Sequence, residues 1–306
     1  MDRPTRRHVC RRANERDTMT DPTSLVSSPL QYRHILVPLD GSDDATVALR
    51  TARALAARLG ATVHTVSAAI TTKEKDYLHA KAADALDVHP DDKRVYTVVS
   101  DKPALAINDR ADELGSCLIC MTTHGHGRVI GSVVGSVARS VMHGHRRPLV
   151  VVGRLADRKD YFETTWPEPL SVDRIVVCVD DTPAADAAVT VAADWAKALA
   201  MSLTILTVAV PTVSLSGEDA SNQIEAALQR LCGLVAGRSI DVGAHLAYDP
   251  LGPAAGVSAY LSANPAGLLV VSTHARSGAS RLVRGATAAS IVAVANVAAV
   301  VVPLPD

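Results

Sequence analysis

The chain has 306 residues, a formal net charge of −1, and 48% hydrophobic residues with only 3% aromatics. That length exceeds one typical domain and fits two. A net charge this close to zero gives no electrostatic case for nucleic acid or an anionic membrane as partner, and a core built from Val, Ile, Leu and Ala suits parallel sheets covered by helices. Five scattered cysteines (Cys10, Cys117, Cys120, Cys178 and Cys232) imply no disulfide framework and fit a reducing cytoplasm.

Residues 1–32 show neither strand nor helix periodicity and are expected to form a disordered, arginine-rich tail, with Met19 as an alternative start. No apolar segment follows the charged N-terminus, so no secretory leader is expected. Regular patterning then begins. A strand is predicted over 34–40, a helix over 43–60 closed by Gly60, a strand over 62–70 and a helix over 73–87. A third strand follows at 94–100, then a helix opened by Pro103 and stopped by Gly115, and a fourth strand at 116–122. A glycine-bearing loop leads into a helix at 136–143, with Gly144 as its cap, and a fifth strand at 148–153.

The pattern then repeats. Residues 174–180 match 34–40 at an offset of 140, pairing Asp40 with Asp180 and Leu59 with Leu199. Later the offset is 150, pairing His124 with His274 and Gly135 with Gly285, so the second copy carries about ten extra residues. The apolar stretch 286–302, broken by Asn296, reads as a helix followed by a strand and is short for a membrane span. Charged, proline-bearing residues 154–171 read as a linker. Strand and helix alternate in both copies, the signature of an α/β doubly wound parallel sheet.

Ligands of such sheets sit beyond the carboxyl ends of the strands, where the strand order reverses. In the first copy that region holds Asp40-Gly41-Ser42 after strand one and Ala68 near the end of strand two. It also holds the loop Thr122-Thr123-His124-Gly125, followed after nine residues by Gly135-Ser136-Val137-Ala138. Glycines allow close backbone approach, and a helix N-terminus offers N–H groups to an anion, which suits a phosphate. Ser136 can donate to a phosphate oxygen, and Asp40 can accept from ribose hydroxyls. The plain alternative is a structural turn with Ser136 as a helix cap.

This combination resembles the universal stress protein family, whose loop has the form G-x2-G-x9-G-[S/T]. The likeness spans about residues 33–153 and 172–303 and rests on the Asp40-Gly41-Ser42 turn, Thr123-His124-Gly125 and Gly135-Ser136-Val137-Ala138. It implies two tandem domains, each with a five-stranded parallel sheet of order 3-2-1-4-5. It also implies ATP, with or without Mg2+, on the first domain. By position the binding residues would be Pro38, Leu39, Asp40, Ala68, Thr122, Gly125, Gly135, Ser136 and Val137. His124, Gly127 and Arg128 from the same loop complete the set. Thr122 stands where the family has its first loop glycine, and Lys102 stands before Pro103 where a glycine is usual.

The second copy departs further. Its loop reads Ser272-Thr273-His274-Ala275, and Ala286 replaces the serine after Gly285. Asp181 adds a second carboxylate, which would repel phosphate, against the loop arginines Arg276, Arg281 and Arg284. The expectation is a degenerate, structural partner. The apolar fifth strands would pair with each other inside one chain, and a further homodimer is open.

Cys117 and Cys120 fall three apart within a strand, hence on opposite faces, and read as core residues. The pairs His124/His126 and His143/His145 lack companions for a metal site. The early motifs of ATP-pyrophosphatase or adenylyl-transferring enzymes are absent, since strand one is followed by DGSDDA. The sequence therefore points to a non-enzymatic nucleotide-binding regulatory module with at most slow hydrolysis. An interaction protein without a ligand is the alternative.

Overall fold

The computed structural model describes residues 7–9, 31–123, 135–144, 148–153, 169–180, 182, 184–210, 218–273 and 286–303. After a short strand β1 (Arg7–Val9), the first unit runs β2 (His34–Pro38), α1 (Asp43–Leu59), β3 (Thr62–Ala69), α2 (Thr72–Leu86) and β4 (Val95–Val99). It continues through α3 (Pro103–Leu114), β5 (Cys117–Thr122), α4 (Ser136–Gly144) and β6 (Leu149–Val152). The second unit repeats this as β7 (Arg174–Cys178), α5 (Ala184–Leu199), β8 (Ser202–Ala209), α6 (Glu218–Val235) and β9 (Val242–Tyr248). It ends with α7 (Pro253–Ala263), β10 (Leu268–Thr273), α8 (Ala286–Val294) and β11 (Ala299–Pro303).

Local chemistry sets the ends of the helices. Ser42 caps α1 by accepting from the Ala45 N–H at 3.2 Å, and Gly60 ends it with φ of 65°, donating back to the Ala56 carbonyl. Thr71 caps α2 by accepting from Glu74 N, and the Glu74 carboxylate accepts from Ile70 N at 2.7 Å. Gly144, expected as the cap of α4, is instead its last helical residue.

The described strands form one sheet of order β1-β9-β8-β7-β10-β11-β6-β5-β2-β3-β4. Each unit thus has the strand order 3-2-1-4-5, and all pairs within a unit are parallel. The two units meet at β6 and β11, which are antiparallel with Val150 opposite Val300. Helices α1, α2, α5 and α6 cover one face of the sheet, and α3, α4, α7 and α8 the other. Each face carries a single apolar cluster that runs across both units, so the core is continuous through the seam. Cys120 lies in the first cluster and Cys117 in the second, on opposite faces of β5.

Two contacts across the units escape the repeat pattern. Arg58, in the last turn of α1, donates to the Leu199 carbonyl at 3.0 Å, the Leu170 carbonyl at 2.9 Å and the Asp173 carboxylate at 2.8 Å. Tyr32, assigned from the sequence to the tail, packs its ring 5.8 Å from that of fully buried Trp195. Arg7–Val9 also leave the expected tail, pairing antiparallel with β9. The reason is the sheet edge: β9 would otherwise present a row of unpaired backbone groups, and a three-residue strand covers part of it.

Among the described residues no helix is long and apolar enough to cross a membrane.

Candidate functional site

The strand order reverses between β2 and β5, with α1 leaving toward one face and α4 packed on the other. The crevice at their carboxyl ends is where this architecture receives a ligand. Its first wall is the β2–α1 turn. Leu39 N donates to the Val66 carbonyl at 2.9 Å and extends the pairing by one residue. The chain then turns through Gly41, whose φ of 81° is left-handed and favours glycine. Asp40 is exposed, and its Oδ1 accepts from both the N–H of Ser42 at 3.0 Å and the hydroxyl of Ser42 at 2.5 Å. One short loop therefore presents a carboxylate at a fixed angle and caps a helix with the same serine. On the far side of the turn, Lys81 of α2 donates to the Gly41 carbonyl at 2.7 Å.

The second wall is the end of β5. Thr123 is buried, and its N–H donates to the Val152 carbonyl at 3.0 Å. Its own carbonyl accepts from Gly135 N at 2.7 Å, so the two ends of the intervening loop are stapled together. Gly135 then accepts from Arg139 N at 2.9 Å, the opening bond of α4. Ala138 and Val141 bury the other side of this helix in the core, which leaves Ser136 exposed. The first-turn N–H groups of a helix have no acceptor within it and carry the positive end of its dipole. The staple holds that end of α4 beside the end of β5.

Each candidate residue can now be placed. Pro38 and Ala68 lie on the α3/α4 face of adjacent strands, since Pro38 pairs with Val66 and Ala68 is two residues further along β3. Asp40 follows the end of β2, and Gly135, Ser136 and Val137 lie at the start of α4, beside the end of the neighbouring strand β5. Leu39 is 5% exposed with its side chain turned to the α1 face, so in this crevice only its backbone is left for a ligand. Thr122 pairs with Val152 and shares its face, the side of α1 rather than that of Pro38 and Ala68. Its methyl and hydroxyl thus project from the opposite side of the strand. His124, Gly125, Gly127 and Arg128 lie outside the described residues, as do His126, Asp181, His274, Ala275, Gly285 and the three loop arginines of the second unit. Lys81 and Thr123 were not legible as part of the site; the first reaches it from another helix, and the second acts through its backbone.

The second unit keeps the first wall. Asp180 Oδ1 accepts from Thr182 N at 3.2 Å and from its hydroxyl at 2.5 Å, the same pair of bonds with threonine for serine. It differs at the second wall, where α8 opens on Ala286, which has no hydroxyl. It also keeps a glycine before its proline: Gly252 has φ of 107°, which side chains rarely adopt, whereas Lys102 takes an ordinary φ of −120°.

Among the described residues no nucleophilic cysteine serves either crevice. Burial alone pushes the Cys178 thiol up to about 12 and raises that of Cys120 further, so both stay protonated and inert. Among the described residues no group of three or more His, Cys, Asp or Glu is placed to hold a metal.

The chain matches the model of the universal stress protein family twice, over residues 31–153 and 171–303. Among solved structures it is similar to a universal stress protein from Archaeoglobus fulgidus DSM 4304, with a TM-score of 0.61 and 18% identity over 90% of this chain and 98% of that one. A putative universal stress protein from Pseudomonas aeruginosa UCBPP-PA14 gives 0.61 and 16%, covering 90% and 94%. A shorter Archaeoglobus fulgidus universal stress protein, solved in complex with dAMP, covers 43% of this chain and 97% of its own, at 16% identity and a TM-score of 0.35. No curated protein matches the sequence.

Proposed function

The chain belongs to the universal stress protein family, and from that premise we propose that its first unit is a regulatory module that binds ATP or a related adenine nucleotide. The observation that supports this reading is the Thr123–Gly135 staple, which ties the N-terminus of α4, with its exposed Ser136, to the end of β5, the strand next to β2. A helix N-terminus with a serine at its first position suits phosphate oxygens. The Asp40 carboxylate suits ribose hydroxyls, and Pro38 and Ala68 offer an apolar surface for a base. Mg2+, where present, would come with the phosphates.

In this reading occupancy is the signal and turnover is not required. Asp40 and His124 are the candidates for a general base, and in this reading hydrolysis is at most slow. The second unit acts as a structural partner, because Ala286 removes the phosphate-facing hydroxyl. Residues 33–153 and 172–306 act as the two domains, joined by 154–171. The β6–β11 join then stands in for subunit pairing, and the cytoplasm, with its reduced thiols, is the compartment.

The test is isothermal titration of ATP–Mg into the full chain beside Gly135→Ala and Ser136→Ala. One site per chain with micromolar affinity, weakened about tenfold or more in the variants, supports the reading. Two sites would give the second unit a working crevice. Absence of binding would leave a protein–protein interaction module of the same fold.

A further inference from the structure

A separate groove lies between α1 and α2, on the face of the sheet opposite α4. It encloses about 410 Å³, and Leu39, Leu49, Leu78 and Ala82 supply buried apolar walls. Arg50, Arg53 and Lys81 line it as well, facing two carboxylates, Asp43 and Asp84. Two of the three cations are held by neutral groups. Arg53 donates to the Ala85 carbonyl at 3.0 Å, and Lys81 donates to the Gly41 carbonyl at 2.7 Å. A carbonyl orients a cation without cancelling its charge, so both keep their pull on an anion.

The second unit supplies the contrast. The position matching Thr46 of α1 is Asp186 of α5, and Arg230 of α6 closes on it with two bonds of 2.7 and 2.8 Å. The positions matching Arg50 and Arg53 are Thr190 and Ala193. The α5–α6 pair therefore neutralises this arginine internally, whereas the α1–α2 groove holds Arg53 and Lys81 on backbone carbonyls over an apolar floor.

We propose that the α1–α2 groove is a second ligand site, for a small organic anion with an apolar body. The anionic group, a carboxylate or phosphate ester, sits between Arg53 and Lys81, and the body rests on Leu39, Leu78 and Ala82. A volume of this size is within the range of small-molecule sites. The site does not depend on the nucleotide reading: it borders the back of the β2–α1 turn, sharing Leu39, Gly41, Ser42 and Lys81 with that wall, but opens on the face of the sheet opposite α4.

The experiment is isothermal titration of the full chain with phenyl phosphate, an aromatic body with one anionic head, beside neutral phenol. Saturable 1:1 binding of phenyl phosphate and none of phenol is expected. Thr46→Asp, which installs the carboxylate of the second unit at an exposed position, and the double variant Arg53→Gln/Lys81→Gln should each weaken binding by about tenfold or more, with a cooperative thermal melt retained. Ser136→Ala should leave it unaltered, which separates this site from the nucleotide crevice. The proposal fails if the wild-type chain shows no saturable binding. It also fails if the double variant binds as tightly as wild type, or if Ser136→Ala alone abolishes binding.

Discussion

The amide of Gly135 donates to the carbonyl of Thr123 at 2.7 Å, and through that one bond an eleven-residue loop is closed at its base. Side-chain substitutions at Gly135 leave the bond available, but proline removes the donor. Gly135→Pro should cost about 1 kcal/mol of stability, the usual worth of one such bond, while ATP affinity falls about tenfold or more because the α4 N-terminus is no longer held in place. Urea melts and titration calorimetry on the same preparation separate the two effects.

Arg58 joins the two units through two backbone carbonyls and one carboxylate. The carboxylate belongs to Asp173, whose side chain is 68% exposed, so that ion pair is worth little in solvent. The carbonyl of Leu170, a residue 3% exposed with φ of 61°, carries more. Arg58→Ala should therefore cost about 2 kcal/mol, and Asp173→Ala under about 1 kcal/mol. Chemical denaturation of both variants and of the double variant reads the difference, and an equal loss from the two single changes would show the ion pair to dominate.

Two glycines are needed where backbones approach closely, and a third lies against a side chain. A Cβ at Gly153 would lie 2.3 Å from the Val292 carbonyl oxygen, across the boundary between units, and one at Gly267 would lie 2.3 Å from the Val172 carbonyl oxygen. At Gly256 the nearest atom is the tip of the Val208 side chain, at 2.5 Å. Backbone cannot yield as a side chain can, so Gly153→Ala and Gly267→Ala should each lose about 2–3 kcal/mol, and Gly256→Ala distinctly less. Midpoints of urea denaturation rank them directly.

His34 Nδ1 and His64 Nε2 share one hydrogen bond at 3.0 Å beneath α3. Burial lowers the His64 pKa from 6.5 to about 4, helped by repulsion from His34, Arg110 and Arg94 and opposed by Asp92. The native state thus refuses a proton that the unfolded chain accepts below pH 6.5. Stability should be fully present above that pH, fall as pH drops toward 4, and level off beneath it, losing up to about 3 kcal/mol from this group. His64→Gln should flatten the profile between pH 7 and 4.5, as read by urea melts at stepped pH.

What the sequence revealed was whatever is local or repeated. The Asp40-Gly41-Ser42 turn, the Gly60 cap and the alternating strands and helices each depend on residues a few positions apart, and the second copy restated them. The faces of Cys117 and Cys120 followed from strand alternation alone. What stayed hidden was set by partners far away in the chain. Arg58 looks like an ordinary basic residue in a last helical turn until Leu170 and Leu199 are brought to it. Leu39 adjoins the site in sequence, yet its side chain belongs to the core, because alternation places it under α1. The role of Thr123 is a backbone bond, which side-chain identity cannot signal. The strand at Arg7–Val9 has too few residues to show a period and forms because β9 offers it an edge.

The antiparallel seam between β6 and β11 has a genetic consequence. In a pair of identical subunits every mutation appears twice, and a change that closes one crevice closes both. Here the two halves are encoded separately and always delivered one to one. A change such as alanine at 286 or threonine at 182 alters only its own side of the seam. Continuous strand pairing keeps a changed half folded against an unchanged one, so the two halves are free to diverge independently.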